Sequence, residues 1–192
     1  MTGIVLAGGR SARFGRDKLR EPYRGAPLVH HAILALSSVC GTVLVVAAPG
    51  TRPDLPPGVP LLLQHDPTEG QGPLAALANA LSNVRTPLAL VAGGDMPDLE
   101  RGVLLEMLRV ADEASVDAVA LGDGERIRPL PIALRLRRGR PAAAGLVRTG
   151  ERRLGTLLEA LRVAVVDEPT WRALDPAGGT LFDVDTPEDL RA

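Results

Sequence analysis

Seven short runs rich in Val, Leu and Ala recur along the chain with stretches of helical periodicity between several of them, and this alternation restricts the fold more than any other feature. The runs at Gly3–Ala7, Thr42–Ala48, Val59–His65, Leu88–Ala92, Asp117–Leu121, Pro129–Arg135 and Val163–Asp167 read as strands. Leu28–Val39, with apolar residues at Leu28, Ile33, Leu36 and Val39, reads as a helix, as do Pro73–Val84, Leu99–Ala114 and the shorter Leu154–Leu161. Strands that show little apolar–polar alternation are buried on both faces, so the pattern predicts an α/β fold in which helices cover a mostly parallel sheet. Pro and Gly concentrate at Pro49–Pro60 and Glu69–Pro73, but neither stretch is long or charged enough for an interdomain linker. No internal repeat is present, and one domain over residues 1–192 is expected. In open sheets of this kind ligands sit beyond the carboxyl ends of the strands, so the loops that follow the strands are where chemistry belongs.

Charge and composition narrow the function. Hydrophobic residues make up 45% of the chain and charged residues 23%, which is a globular balance and excludes disorder. Twenty-two Lys and Arg against 23 Asp and Glu leave a net charge of -1, with no excess to attract nucleic acid or an anionic membrane. The scarce aromatics, among them Trp171, offer no stacking surface for single strands. No apolar run approaches the roughly 20 residues of a bilayer span, and Met1 leads into Gly3-Ile4-Val5 with no basic leader, so a cytoplasmic protein is expected. The lone Cys40 excludes an internal disulfide framework and a multi-cysteine metal site. The helical patterns carry no exposed heptad seam, which makes a monomer the default.

Of the 22 basic residues, Lys18 is the only lysine. Its ammonium is a compact point charge that a guanidinium fork does not replace between phosphate oxygens. It closes the segment Leu6-Ala7-Gly8-Gly9-Arg10-Ser11-Ala12-Arg13-Phe14-Gly15-Arg16-Asp17-Lys18, directly after the first strand. The Gly8-Gly9 pair removes the Cβ atoms that would hold a ligand away from main-chain N–H groups, Ser11 adds a hydroxyl, and Arg10, Arg13 and Lys18 add charge. The combination suits a triphosphate. It is neither a Walker loop nor the G-x-G-x-x-G dinucleotide fingerprint, and the alternative is a Gly-rich turn with exposed arginines.

The string L-A-G-G-x-S-x-R-F-G-x-D-K closely resembles the signature of the molybdenum cofactor guanylyltransferases, the MobA-type branch of nucleotidyltransferases. Further resemblances follow in order at Gln64-His65-Asp66, Gly72-Pro73-Leu74-Ala75-Ala76-Leu77, Gly94-Asp95-Met96-Pro97, Arg128-Pro129-Leu130-Pro131 and Asp183-Val184-Asp185-Thr186-Pro187-Glu188-Asp189-Leu190, covering nearly the whole chain. The resemblance implies a three-layer, Rossmann-like nucleotidyltransferase fold. It also implies transfer of GMP from GTP to the terminal phosphate of molybdopterin or Mo-molybdopterin, with release of pyrophosphate. Lys18 and Arg13 would then be catalytic, and Leu6, Ala7, Gly8, Gly9, Arg10, Ser11, Lys18, Asp66 and Asp95 would bind nucleotide. Transient contacts with other cofactor-assembly proteins are conceivable for such an enzyme. The alternatives are a relative using CTP or a sugar-phosphate acceptor, and a non-catalytic nucleotide-binding module, against which intact Lys18 and Asp95 argue.

The carboxylates admit more than one reading. Asp95, at the carboxyl end of a buried strand, suits Mg²⁺, a hard ion that bridges carboxylate and substrate phosphates, and the resemblance implies the same; it could instead cap the following helix, although Asp98 stands closer to that start. Phe182–Asp185 reads as a short strand that places Asp183 and Asp185 on one face. Asp185 is a candidate second metal ligand or part of a structural turn. Guanylyltransferases usually carry asparagines in this element, and the Asp-x-Asp form looks more like cytidylyltransferase relatives. Gly8-Gly9, where those relatives tend to have Ala-Gly, and Gly72-Pro73-Leu74 favour GTP. Asp66 could accept the paired N–H donors of a guanine edge, contact ribose, or cap the turn at Pro67. The asparagine that the family places after the second strand is absent from Val46-Ala47-Ala48-Pro49. His30 and His31 are expected to split between core and solvent. The Arg135–Arg140 cluster reads as a solvated hairpin end or an anion site, and Arg128 as a weak candidate for binding the pterin substrate.

Overall fold

A computed structural model describes residues 1–8, 14, 17–67 and 70–191. Among these, seven strands form one sheet: β1 (Thr2–Ala7), β4 (Thr42–Ala47), β5 (Leu61–His65), β6 (Leu88–Gly93), β7 (Ala118–Asp123), β8 (Arg126–Arg135) and β9 (Val163–Val166). Two further segments, β2 (Pro22–Tyr23) and β3 (Ala26–Pro27), make a small antiparallel hairpin. The sheet order is β5-β4-β1-β6-β8-β7-β9. β5, β4, β1 and β6 run parallel, β8 is antiparallel to both neighbours, and β9 is parallel to β7.

Burial follows from position in that order. Ile4, Val5, Val43, Val45, Val46, Leu90 and Val91 on the three central strands lose all contact with solvent, as their unalternating apolar pattern requires. The edge strand β5 is less covered on both faces, and its consecutive Leu62 and Leu63, which point to opposite sides, are exposed. Three helices cover one face of the sheet: α1 (Leu28–Ser37), α3 (Arg101–Glu113) and the short α6 (Glu168–Leu174), whose Trp171 is fully buried. The other face carries α2 (Pro73–Asn83), α4 (Leu136–Arg148) and α5 (Leu154–Glu159). The result is the three-layer α/β arrangement that the strand pattern predicts.

Some local expectations are corrected. The Arg135–Arg140 cluster is not a hairpin end but the entry of α4, a helix that its arginines and internal Pro141 conceal in the sequence. Its side chains have structural tasks. Arg140 donates to the Leu81 and Val84 carbonyls at the end of α2, and Arg135 to the Ala111 carbonyl in α3. Gly139 lets α4 press onto β8, since a Cβ there would lie 2.5 Å from Leu134 Cγ. Asp98 does not cap α3: it accepts the Tyr23 hydroxyl at 2.8 Å and the Arg24 guanidinium, and Glu100 caps the helix instead. His30 and His31 are both half-buried, neither of them facing open solvent, and the His31 ring is bonded to the Tyr23 carbonyl.

Leu77 of α2 is fully buried against the second face of the sheet. Leu77→Ala is expected to lower the unfolding free energy by about 2–5 kcal/mol through lost transfer energy and the residual cavity. Urea titration followed by the fluorescence of Trp171, the chain's one tryptophan, checks this.

Candidate active site

Parallel strands β1 and β6 lie side by side, with Leu6 opposite Gly93, so both deliver their following residues to the same end of the sheet. The Gly94 N–H donates to the Leu6 carbonyl at 3.0 Å and joins the two loops. The Asp95 carboxylate folds back over Gly93, and a Cβ there would sit 2.4 Å from Asp95 Oδ1, so a larger residue would displace that carboxylate. Leu6, Ala7, Gly8, Lys18, Gly93 and Asp95 line a cavity of about 170 Å³ at this end, closed at its sides by Pro73 and Leu130. A Cβ on Gly8 would meet the Ala48 backbone at an ordinary 3.4 Å, so packing alone does not demand glycine at that position.

Lys18 begins a short 3-10 turn, Lys18–Arg20, capped by the Asp17 carboxylate, which accepts the Leu19 N–H at 3.1 Å. Its Nζ donates to Asp95 Oδ2 at 2.8 Å and to the Val184 carbonyl at 2.7 Å, and Asp185 Oδ1 stands 3.7 Å away. One ammonium thus joins segments that are 77 and 166 residues distant in sequence. Phe14, from the same loop motif, is buried with Tyr23, Leu28 and Val184 in a small apolar cluster that anchors the Lys18 turn to the C-terminal segment.

Residues Phe182–Asp185 are not the expected strand. Val184 makes one ladder-like bond, its N–H to the Asp95 carbonyl at 2.9 Å, and no neighbouring strand continues the pairing. Without the strand, the expected shared face of Asp183 and Asp185 is replaced by contacts with two different cations. Asp185 approaches Lys18, while Asp183 pairs with Arg128 Nη2 at 3.0 Å and feels the charges of Asp95 and Asp185. Burial, and next the Asp95 charge, push the Asp183 carboxyl up to about 6 against the opposing pull of Arg128. Thr186 and Asp189 close the segment, with Asp189 accepting the Asp185 and Thr186 N–H groups.

Asp66 is placed differently. Its carboxylate accepts Asn79 Nδ2 at 3.3 Å and lines a separate cavity of about 290 Å³ between α2 and α4, with Gln71, Ala78 and Val147. Desolvation raises its carboxyl above the ordinary range, and the Asn79 bond offsets part of the rise. Gly72 has a packing reason: φ is +84°, and a Cβ would lie 2.8 Å from Arg152 Cβ. Arg137 and Arg138 lie in a cleft with Asp112 and Asp117 where β7 begins and β8 ends, away from Lys18. The expected nucleotide contacts Gly9, Arg10 and Ser11 and the expected catalytic Arg13 lie outside the described residues. Sequence reasoning missed the Val184 carbonyl, because a main-chain acceptor has no signature in residue type.

Comparison with known proteins gives the family and the fold. The model of the MobA-like NTP transferase domain matches residues 3–167. A "Probable molybdenum cofactor guanylyltransferase" of Chloroflexus aggregans is 33% identical over 200 residues, covering 100% of this chain and 92% of that protein. One of the same name from Mycobacterium tuberculosis is 35% identical over 188 residues, covering 93% and 90%. Among solved structures, molybdopterin-guanine dinucleotide biosynthesis protein A from Archaeoglobus fulgidus superposes with a TM-score of 0.79 at 22% identity, covering 100% of this chain and 95% of its own. The 2-C-methyl-D-erythritol 4-phosphate cytidylyltransferase of Thermus thermophilus does so with a TM-score of 0.72 at 22% identity, covering 98% and 94%. The match of fold, of motif order and of sequence over the full length makes this chain a nucleotidyltransferase that belongs to the MobA-like NTP transferase family.

Proposed function

We propose that this chain transfers the GMP unit of GTP to the terminal phosphate of molybdopterin, or of its molybdenum-bearing form, as a cytoplasmic, single-domain enzyme of molybdenum cofactor biosynthesis. The observation that carries the reading is the Lys18 ammonium, held between the Asp95 carboxylate and the Val184 carbonyl where β1 and β6 end. In the reaction an oxygen of the acceptor's terminal phosphate attacks the α-phosphorus of GTP. The new P–O bond forms as the bond from the α-phosphorus to its bridging oxygen breaks, and pyrophosphate leaves with that electron pair. The attacking phosphate is already ionised, so no side-chain nucleophile is required and catalysis rests on alignment and charge neutralisation. Lys18 supplies charge to the phosphates, the backbone at Gly8 admits them closely, and Arg13, Arg10, Ser11 and Gly9 add donors from the same loop.

Mg²⁺ fits the donors present. Asp95 and Asp185 flank the Lys18 ammonium, Asp183 lies close enough for the Asp95 charge to help burial raise its carboxyl, and a hard divalent cation relieves that crowding of carboxylates. Mg²⁺ takes oxygen ligands and is commonly held by one or two carboxylates together with substrate phosphates. Asp95 and Asp185 would hold it, and when bound it neutralises phosphate charge. Asp183 is already engaged by Arg128.

The choice of GTP rests on Gly8-Gly9, since Gly72 is explained by its contact with Arg152. Asp66, steadied by Asn79, is the proposed nucleotide contact from the neighbouring cavity. A second reading, cytidylyl transfer, is favoured by the aspartates at 183 and 185. Pyrophosphate release with molybdopterin as acceptor, and with GTP or CTP offered separately, separates the two. Release with GTP is the expected result. Preference for CTP selects the second reading, and binding of GTP without turnover on any phosphate acceptor points to a non-catalytic module.

Lys18→Ala is expected to lower kcat by roughly 10²–10³-fold, about 3–4 kcal/mol, as for loss of one preorganised donor. Steady-state rates with GTP at saturation measure it. Asp183 gives a pH test. Its folded carboxyl at about 6 lies above the ordinary value, so the folded state holds this proton more tightly. Its contribution to stability is therefore largest below about pH 4 and is lost as pH rises through about 6. Without metal, the Tm of Asp183→Asn should rise relative to wild type between pH 4 and 7, and thermal melts across that range check the sign.

A further inference from the structure

We propose that Arg128 is a positioning residue: by gripping Asp183 it fixes the C-terminal segment whose Val184 carbonyl aims the Lys18 ammonium. The inference rests on the reading of Lys18 and Asp95 as the reaction centre. It begins in the register of β7 and β8. Ala120 pairs with Ile132, but the next residue, Leu121, pairs with Arg128, so Pro129, Leu130 and Pro131 bulge from the ladder. Two of the three are prolines, which have no N–H to give to a partner strand. Bulges re-aim side chains beside active sites, and this one does so twice. Leu130 is delivered to the wall of the Lys18 cavity, and Arg128 is turned toward the terminal segment.

The grip of Arg128 is specific. Nη2 donates to Asp183 Oδ2 at 3.0 Å and to the Leu181 carbonyl at 3.4 Å, and Nη1 stands 3.5 Å from Asp123 Oδ2. The next residue, Val184, is fully buried against Phe14, Tyr23 and Leu28; its N–H donates to the Asp95 carbonyl and its own carbonyl accepts Lys18. The residue after it, Asp185, is tied through its N–H to Asp189. Arg128 thus secures one side of Val184 and Asp189 the other, and the carbonyl between them is a fixed acceptor opposite Asp95. Without Arg128 the Asp183 carboxylate would face Asp95 and Asp185 with no cation of its own, and repulsion would drive the segment outward. Arg128 need not touch substrate for this, since its guanidinium is spent on Asp183, Leu181 and Asp123.

Because Lys18 is the only lysine, its surroundings can be read without any substrate. Limited acetylation of the free protein, quantified at Lys18 by peptide mass spectrometry, reports how firmly the ammonium is held. Arg128→Ala should accelerate modification about five-fold or more and lower kcat by about 10–10²-fold, as for an ångström-scale misplacement, with acceptor KM within about two-fold of wild type. In Arg128→Ala/Asp183→Asn the uncompensated charge is gone, and both readouts should return most of the way to wild type. If Arg128→Ala does not fold, Arg128→Gln/Asp183→Asn replaces the ion pair with two amides and should leave Lys18 protected. Unchanged acetylation in Arg128→Ala, or exposed Lys18 in the amide pair, overturns the proposal. So does a raised acceptor KM that the double variant does not restore, which would make Arg128 a substrate contact. Acetylation needs no turnover, so a wild-type protein inactive with molybdopterin would count against the proposed reaction and leave this test standing.

Discussion

The parallel pairing of β4, β1 and β6 is the constraint on which the rest of the molecule depends. β1 is hydrogen-bonded on both edges and buried on both faces, so its direction sets that of its neighbours and obliges helices to cover both sides. Because β1 and β6 run the same way in register, the loops after them open at one end of the sheet. Gly8, Lys18 and Asp95 meet there although no short-range pattern connects them. A polar site at that place leaves the core undisturbed, since its charges sit beyond the strands rather than between them.

Electrostatics at that end is balanced unevenly. Among the described residues, three carboxylates, at 95, 183 and 185, face one lysine and one arginine. Lys18 resolves the imbalance for Asp95 and lies within reach of Asp185, whereas Arg128 answers Asp183 from the opposite side. Burial first, and the Asp95 charge next, raise the Asp183 carboxyl despite Arg128. The repulsion among these carboxylates is unfavourable for stability, as wherever like charges share a partly buried place. The Arg128–Asp183 pair, drawn together by a bulge in an otherwise regular sheet, keeps the segment from yielding to that repulsion.

Much of this was legible residue by residue. The strands at the centre of the sheet were readable because their apolar runs lack alternation, and helices α1 to α3 because their apolar faces repeat at helical spacing. Lys18 stood out as the sole lysine among arginines, and Asp95 through its place after a buried strand. The failures have physical causes too. Helix α4 was hidden because its buried face is small, relying on Gly139 and Ala143, while its arginines satisfy carbonyls of other helices. The Phe182–Asp185 segment has strand-like residues but no strand beside it to pair with. Asp98 looked like a cap and proved to be the partner of Tyr23, a contact across 75 residues.

By itself, then, the sequence determined which residues are apolar, how they repeat and where chain direction can change, because those properties follow from local geometry and from the cost of burying polar groups. It thereby settled the α/β class, the helices α1, α2, α3 and α5 and the loops able to carry chemistry. Only the tertiary structure decided which charges face one another. The distances from Lys18 to Asp95 and Val184, and from Arg128 to Asp183, depend on the order in which strands lie in the sheet and on a bulge between β7 and β8. Neither is encoded in the spacing of the residues concerned, since Coulomb and hydrogen-bond energies depend on separation in space, which here is a few ångströms between groups tens of residues apart in sequence.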